Sequence, residues 1–458
     1  MVDRRTVLKG LAAAGVAGTA AAAGVTGAVI AGSGGAEAAP LRQPGSLPYP
    51  RLRPGTDTIP QVEHIVVLMM ENHSYDNKLG MLGRAGADGF TLGAGGKPTA
   101  SNPYPSGGKV QHAFRMPTTC QQSGDPSQTW DSSHTAYDAG HNDGFVRASG
   151  AVAMGYWERA DQPFYYSLAS VFPLADRYFC SVLGQTYPNR RYLMAATSLG
   201  MVNDVQIQDL PKYPPNGTIF DQLNKHGISW KDYWSTTPST LLWPDLFVRD
   251  PANALRLETI SHFFSDAKAG RLPAFSLVEP DYGNTSEENP QNVAAGEQFA
   301  ASVIDAVMTG PNWSKTLLIW TYDEHGGYYD HVPPPAAVPP DNVEPVTLLG
   351  GPKYDGFGRY GFRVPCVVVS PWARPGHVSH TVYDHTSILK LVETKWNLPA
   401  LTRRDANANN MLDMLDFTAP AFLKPPALAK PLVDTDSSAL ACDRTGPGVI
   451  PPPGSVTG

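Results

Sequence analysis

Four short runs of unbroken apolarity constrain this chain more than any other feature of its sequence. They are His64-Ile65-Val66-Val67-Leu68-Met69-Met70, Ala274-Phe275-Ser276-Leu277-Val278, Thr316-Leu317-Leu318-Ile319-Trp320-Thr321 and Pro365-Cys366-Val367-Val368-Val369-Ser370. A strand with one wet face alternates apolar and polar residues. A run without alternation is buried on both faces, as in a parallel sheet covered by helices. Helical spacing lies between the runs. Gly296 to Met308 carries Phe299, Val303, Ile304, Val307 and Met308 along one side, and Ser387 to Trp396 repeats Ile388, Leu391, Val392 and Trp396. Ile219 to His226, followed by Gly227-Ile228-Ser229-Trp230, predicts a helix, a glycine stop and then a strand. The alternation predicts an α/β sandwich with a largely parallel central sheet and helices on both faces.

Three segments fall outside that pattern. In residues 1–38, Arg4-Arg5 precede an Ala/Gly/Val run from Gly10 to Ala31, and Ala36-Glu37-Ala38 follows it. Paired arginines, a weakly apolar stretch and a small-residue cleavage pattern predict a twin-arginine export signal, with a transmembrane anchor as the rival reading. The expected partner is the twin-arginine export machinery, and the expected location is secreted or cell-envelope associated. No later stretch approaches the roughly 20 apolar residues that span a bilayer, so no stable transmembrane anchor is expected. Residues 39–60 are an extended Pro/Arg/Gly-rich lead-in, 61–425 the globular domain, and 426–458 a Pro/Gly-rich tail. A net charge of -7 leaves no basic footprint for nucleic acid. Cys120, Cys180, Cys366 and Cys442 have no metal-type spacing, and at most one disulfide is expected among them.

In a sheet covered on both faces, chemistry gathers beyond the carboxyl ends of the strands. Met70 runs directly into Glu71-Asn72-His73-Ser74-Tyr75-Asp76. A carboxylate beside an amide oxygen suits a divalent cation, and Asn72 or Ser74 would serve equally as a helix cap. Thr321-Tyr322 runs into Asp323-Glu324-His325-Gly326-Gly327-Tyr328-Tyr329-Asp330-His331. So many ionisable groups at a strand end are costly unless paired or metal-bound; a solvated loop is the alternative. Thr186-Tyr187-Pro188-Asn189-Arg190 precedes a helical stretch, and Pro188 suits a first turn. A hydroxyl there faces a dipole that attracts a phosphoryl group, and a metal ion would supply the activation it needs. An ordinary N-cap threonine is the plain reading.

Together with Gly361-Phe362-Arg363-Val364-Pro365, these segments resemble, in order and spacing, the four motifs of the phosphoesterase family. That family contains bacterial non-haemolytic phospholipases C, plant non-specific phospholipases C and a related acid phosphatase. The resemblance spans about Ile65 to Phe417. It implies an alkaline-phosphatase-like α/β fold and a covalent phospho-enzyme. Thr186 is the implied nucleophile, and Glu71, Asn72, Asp323 and Glu324 are the implied metal ligands, joined by the Thr186 oxygen. His134, within Asp131-Ser132-Ser133-His134, resembles the histidine that contacts phosphate or the leaving group. Asn72, Asn189 and Asp330 are further implied phosphate contacts, and His331 completes the last loop.

Two departures stand out. The first motif usually reads Arg-Ser-Phe-Asp after Glu-Asn, where this chain has His73-Ser74-Tyr75-Asp76. After Glu279-Pro280-Asp281, Asn289 stands where a histidine is expected. Asn cannot act as a general acid, so either leaving-group protonation falls to His134 or His331 or activity is reduced. The resemblance implies one divalent metal ion, calcium by the oxygen-rich ligand set, with zinc, magnesium or manganese also tolerable. The expected substrate is a phospholipid or small phosphate ester: a diester for a phospholipase C, a monoester for an acid phosphatase. A phosphate-ester-binding protein without turnover is the remaining alternative.

Overall fold

The computed structural model describes residues 40–121, 126–204 and 213–432. The export signal expected in 1–38, Cys442 and most of the tail lie outside the described residues. Among the described residues, those from Arg42 onward form one compact unit.

Its core is an eight-stranded sheet. The strands are β1 (His64–Met70), β2 (Leu174–Ala175), β3 (Trp230–Trp234), β4 (Leu257–Thr259), β5 (Phe275–Val278), β6 (Thr316–Tyr322), β7 (Cys366–Val369) and β8 (Val378–Ser379). Their spatial order is β8-β2-β7-β6-β1-β5-β3-β4. Around β1 the sheet is parallel, with β5 on one side and β6 on the other, and β3 and β4 continue it. All seven residues of β6 are buried, as its unbroken apolarity requires. β7 is equally buried, yet it runs antiparallel to both β6 and β2. Continuous apolarity reports cover on both faces and is silent on direction, so the sheet is mostly, not wholly, parallel.

The principal helices are α1 (Tyr75–Leu79), α2 (Trp130–Tyr137), α3 (Pro163–Val171), α4 (Thr186–Ala195), α5 (Ile219–Lys225), α6 (Ile260–Ala269), α7 (Val293–Thr309) and α8 (His385–Trp396). The predicted stretches at 219–226, 296–308 and 387–396 coincide with α5, α7 and α8. Capping explains two starts: Asn292 accepts from Ala294 N–H ahead of α7, and Thr218 with Asp221 forms a capping box on α5. α7 packs its Val303–Ile304–Val307 stripe against β1, β6 and the helices α3 and α6, while α8 packs on α4. Truncating such a fully buried isoleucine to alanine costs about 2–5 kcal/mol.

The lead-in is strapped down rather than loose. Asn397, left-handed at the end of α8, donates through Nδ2 to the carbonyls of Tyr49 (3.1 Å), Leu52 (2.9 Å) and Arg53 (3.2 Å). Cys180 and Cys366 are free and buried, and Cys120 is disulfide-bonded, within the expectation of at most one disulfide. Among the described residues no helix is long and apolar enough to cross a membrane.

Candidate active site

Register places the site. The last paired residues of β1 and β6 are Met70 and Tyr322, so Glu71-Asn72 and Asp323-Glu324 leave the sheet side by side. Asn72 has φ 70°, an uncommon conformation for a residue with a side chain. Gly326, at φ 65°, turns the second strand end back against it. A Cβ on Gly326 would lie 1.9 Å from Asn72 O, so only glycine permits this approach.

Thr186 is the first residue of α4, and its Oγ1 lies 3.2 Å from Asn72 Oδ1. The same amide atom lies 2.8 Å from Asp323 Oδ1 and 2.9 Å from Glu324 Oε1. These four side chains are almost completely buried. In one orientation the amide oxygen accepts from the Thr186 hydroxyl but faces two carboxylate oxygens. Turned over, its NH2 donates to both carboxylates and leaves the hydroxyl without that acceptor. A cation among the four oxygens satisfies all of them, so the residues present fit a divalent metal.

The charge balance points the same way. Burial pushes Asp323 up to about 7, with nearby Glu71 adding to the rise and Arg190 opposing it. Burial, and then the Asp323 charge, hold Glu324 well above the ordinary carboxylate range. Arg190 counters this excess. Its Nε donates to Asp323 Oδ2 (2.9 Å), and its other nitrogens to Ser239 Oγ (3.1 Å) and Met70 O (3.4 Å). Glu279 lies 3.9 Å from the guanidinium. The sequence reading assigned Arg190 no role. Its spacing of four from Thr186 on one helix was the available signal, because i and i+4 share a face.

The remaining candidates divide. Asn189 accepts from Val182 N–H (3.0 Å) and donates to Gly184 O (3.1 Å) and Gln185 O (3.0 Å). Its amide therefore shapes the turn that delivers Thr186, in place of the expected phosphate contact. Asp204 Oδ1 accepts from Tyr187 N–H (2.8 Å) and Pro188 has no N–H, so neither of these positions offers a free donor at the start of α4.

Asp330 and His331 belong to a separate ionic network around Arg363. Arg363 donates to Asp330 Oδ1 (2.8 Å) and Asp76 Oδ1 (3.1 Å), and His331 Nδ1 meets Asp76 Oδ2 at 2.7 Å. Burial disfavours a charged His331, but Asp76 and Asp330 outweigh it and raise the ring to about 9. Ligand-type atoms of Asp76, Asp330 and His331 lie within 4.8 Å of one another, which is also a possible metal group. Arg363 already neutralises these carboxylates, so the cluster at Thr186 is the better cation site.

His134 Nδ1 donates to Trp130 O (2.7 Å), the ring stacks on Tyr354 at 3.9 Å, and Nε2 lies 3.7 Å from Asp355. Asn289 Nδ2 donates to Tyr328 OH at 3.2 Å, within the Asp323–His331 loop.

A mostly parallel α/β sheet with a buried hydroxyl and hard oxygen donors at adjacent strand ends suits a hydrolase of phosphoric esters, and comparison with known proteins makes that assignment. The chain belongs to the phosphoesterase family, whose model matches residues 62–399. It is 35% identical to non-specific phospholipase C1 of Arabidopsis thaliana over 75% of this chain and 69% of that protein. It is 33% identical to phospholipase C B of Mycobacterium tuberculosis over 81% of this chain and 80% of that one. Among solved structures, the lipoteichoic acid synthase LtaP from Listeria monocytogenes superposes with a TM-score of 0.39 at 8% identity, covering 78% of this chain and 77% of that chain.

Proposed function

We propose that this chain is an exported, metal-dependent phospholipase C-like phosphodiesterase that works through a phospho-threonine at Thr186. The observation that carries the reading is the shared contact of Thr186 Oγ1, Asp323 and Glu324 with one amide atom of Asn72. A divalent cation held by Glu71, Asn72, Asp323, Glu324 and the Thr186 oxygen would acidify the hydroxyl and neutralise charge on the phosphoryl oxygens. The donors are all oxygens, a set that suits a hard divalent cation such as calcium or magnesium.

The chain's own residues supply the rest. Asn189 and the α4 start hold Thr186 in place, and Arg190 orients Asp323. Thr186, its hydroxyl proton released to solvent, attacks phosphorus through Oγ as the bond to the leaving oxygen breaks. His134 protonates the departing alkoxide through Nε2, since its Nδ1–H is committed to Trp130 O. Both nitrogens of His331 are engaged by Asp76 and Asp88, which leaves that ring a structural role. Water then attacks the phospho-threonine, giving a proton back to His134 Nε2, and the bond from phosphorus to Thr186 Oγ breaks.

The preference for diesters rests on the relatives named as phospholipases C. The test is hydrolysis of p-nitrophenylphosphorylcholine and p-nitrophenyl phosphate, with and without EDTA, beside Thr186→Ala. Metal-dependent turnover that disappears in Thr186→Ala supports the reading, and a preference for the monoester would make the protein a phosphatase. Export is tested separately: replacing Arg4-Arg5 by Lys-Lys retains the protein inside the cell, and unchanged export would refute the twin-arginine route.

A further inference from the structure

Behind the site lies a buried ion pair that the family motifs do not account for. Lys78, on α1, pairs with Glu287, and both side chains are fully enclosed. Tyr165 OH donates to Glu287 Oε1 (2.6 Å) and Tyr322 OH to Oε2 (2.7 Å). The ammonium sits among the rings of Trp157, Tyr165 and Tyr322, 5.0–5.8 Å from their centres. Taking two charges out of water costs about as much as their attraction returns, so such a pair is a poor means of gaining stability. A single enforced geometry is the better explanation.

Glu287 carries that geometry. Its φ is 76°, an unfavourable conformation for a residue with a side chain, and it persists only if the surroundings impose it. Its carbonyl accepts from His73 Nε2 (2.9 Å) and Gln121 Nε2 (2.5 Å). His73 directly follows Asn72. Two residues beyond Glu287, Asn289 donates to Tyr328 OH, which itself donates to Gln121 Oε1 (2.7 Å). The segment from Glu287 to Asn289 thus closes a loop of contacts around the strand ends that bear Asn72 and Glu324.

We propose that Lys78 and Glu287 are positioning residues: their buried pair pins a strained backbone so that Asn289 is held fixed against the Asp323–His331 loop as a wall of the active site. The effect on turnover rests on the phosphodiesterase reading above; the effect on the loop does not.

Two variants test it. Lys78→Met/Glu287→Gln removes both charges of the pair together and keeps a side-chain oxygen for the tyrosine hydroxyls. Gly296→Ala disturbs the anchor without touching a charge, because its Cβ would lie 2.0 Å from Glu287 Cγ. We expect the double variant to melt within about 5 °C of the parent. Amide exchange at residues 286–291 should nevertheless accelerate at least about tenfold. On p-nitrophenylphosphorylcholine, kcat should fall at least about tenfold with KM changed less than about threefold. Parental exchange and parental kcat in a stably folded variant would overturn the proposal. If the double variant fails to fold, Gly296→Ala is judged by the same two readouts. If the parent itself turns over no phosphate ester, the functional reading fails, and amide exchange alone decides whether the pair anchors the loop.

Discussion

Replacing Arg190 by methionine is the most informative perturbation of this site. The guanidinium donates to Asp323, Ser239 and Met70 O, and it faces Glu279 at 3.9 Å. Methionine retains much of the apolar volume over Tyr282 and removes the charge. Breaking one side of a buried ion pair costs about 3–5 kcal/mol, because the stranded carboxylates have neither water nor a partner. The sign of the pH dependence follows. In the folded protein burial raises Asp323 and Glu279, and Arg190 opposes both shifts. Without Arg190 those folded values climb further above the unfolded values near about 4. The folded variant then binds more protons than the unfolded chain, and its stability falls as pH rises from about 4 through and beyond Asp323's parental value of about 7. Urea unfolding in EDTA, which removes any compensating cation, should show a deficit of about 4 kcal/mol at pH 8 and less than about half of that at pH 5. A deficit under about 1 kcal/mol at pH 8, or one that does not vary with pH, would refute the counter-charge reasoning.

Other outcomes follow from the same geometry. Thr186→Ala should lower turnover on the order of 10⁴-fold or more while changing stability by about 1 kcal/mol, since it loses one hydrogen bond; retained turnover would remove Thr186 from the mechanism. Gly326→Ala should abolish activity and depress the melting temperature by several degrees, because the new Cβ displaces Asn72; an active, stable variant would contradict the close approach. His331 is raised from 6.5 to about 9, so its ion pair stabilises fully below 6.5 and is lost as pH rises through 9. His331→Ala should therefore cost up to about 3 kcal/mol at pH 6 and little of that electrostatic share at pH 10; an equal cost at both values would show that packing alone is responsible.

Much of this arrangement was legible in the sequence because it rests on local rules. Unbroken apolarity marked β1, β5, β6 and β7 as doubly covered strands, and helical spacing marked α5, α7 and α8. The abrupt change from Met70 to Glu71, and from Tyr322 to Asp323, pointed to two strand ends as the place of chemistry before any register was known. What escaped depends on partners distant in sequence. The direction of β7 is set by connectivity, which apolarity does not encode. Asn189 looked like a phosphate ligand, but the backbone of Val182–Gln185 consumes its amide. Asp330 and His331 looked like members of the same site as Asp323. Their charges are instead matched by Arg363 and Asp76, a pairing visible only once residues far apart in sequence meet.

The pairing of β1 with β6 has a further consequence for how activity is acquired. The two strand ends that make the site come from residues about 250 positions apart, and only the match of Met70 with Tyr322 sets them level. A slip of one residue would shift one end by about 3.3 Å against the other and send alternate side chains to the opposite face. A refolding chain would then recover its sheet signal in circular dichroism without assembling Asn72 against Glu324. Recovery of turnover therefore works as a clock for correct strand alignment, and it separates molecules that have merely collapsed from those whose central strands are in step.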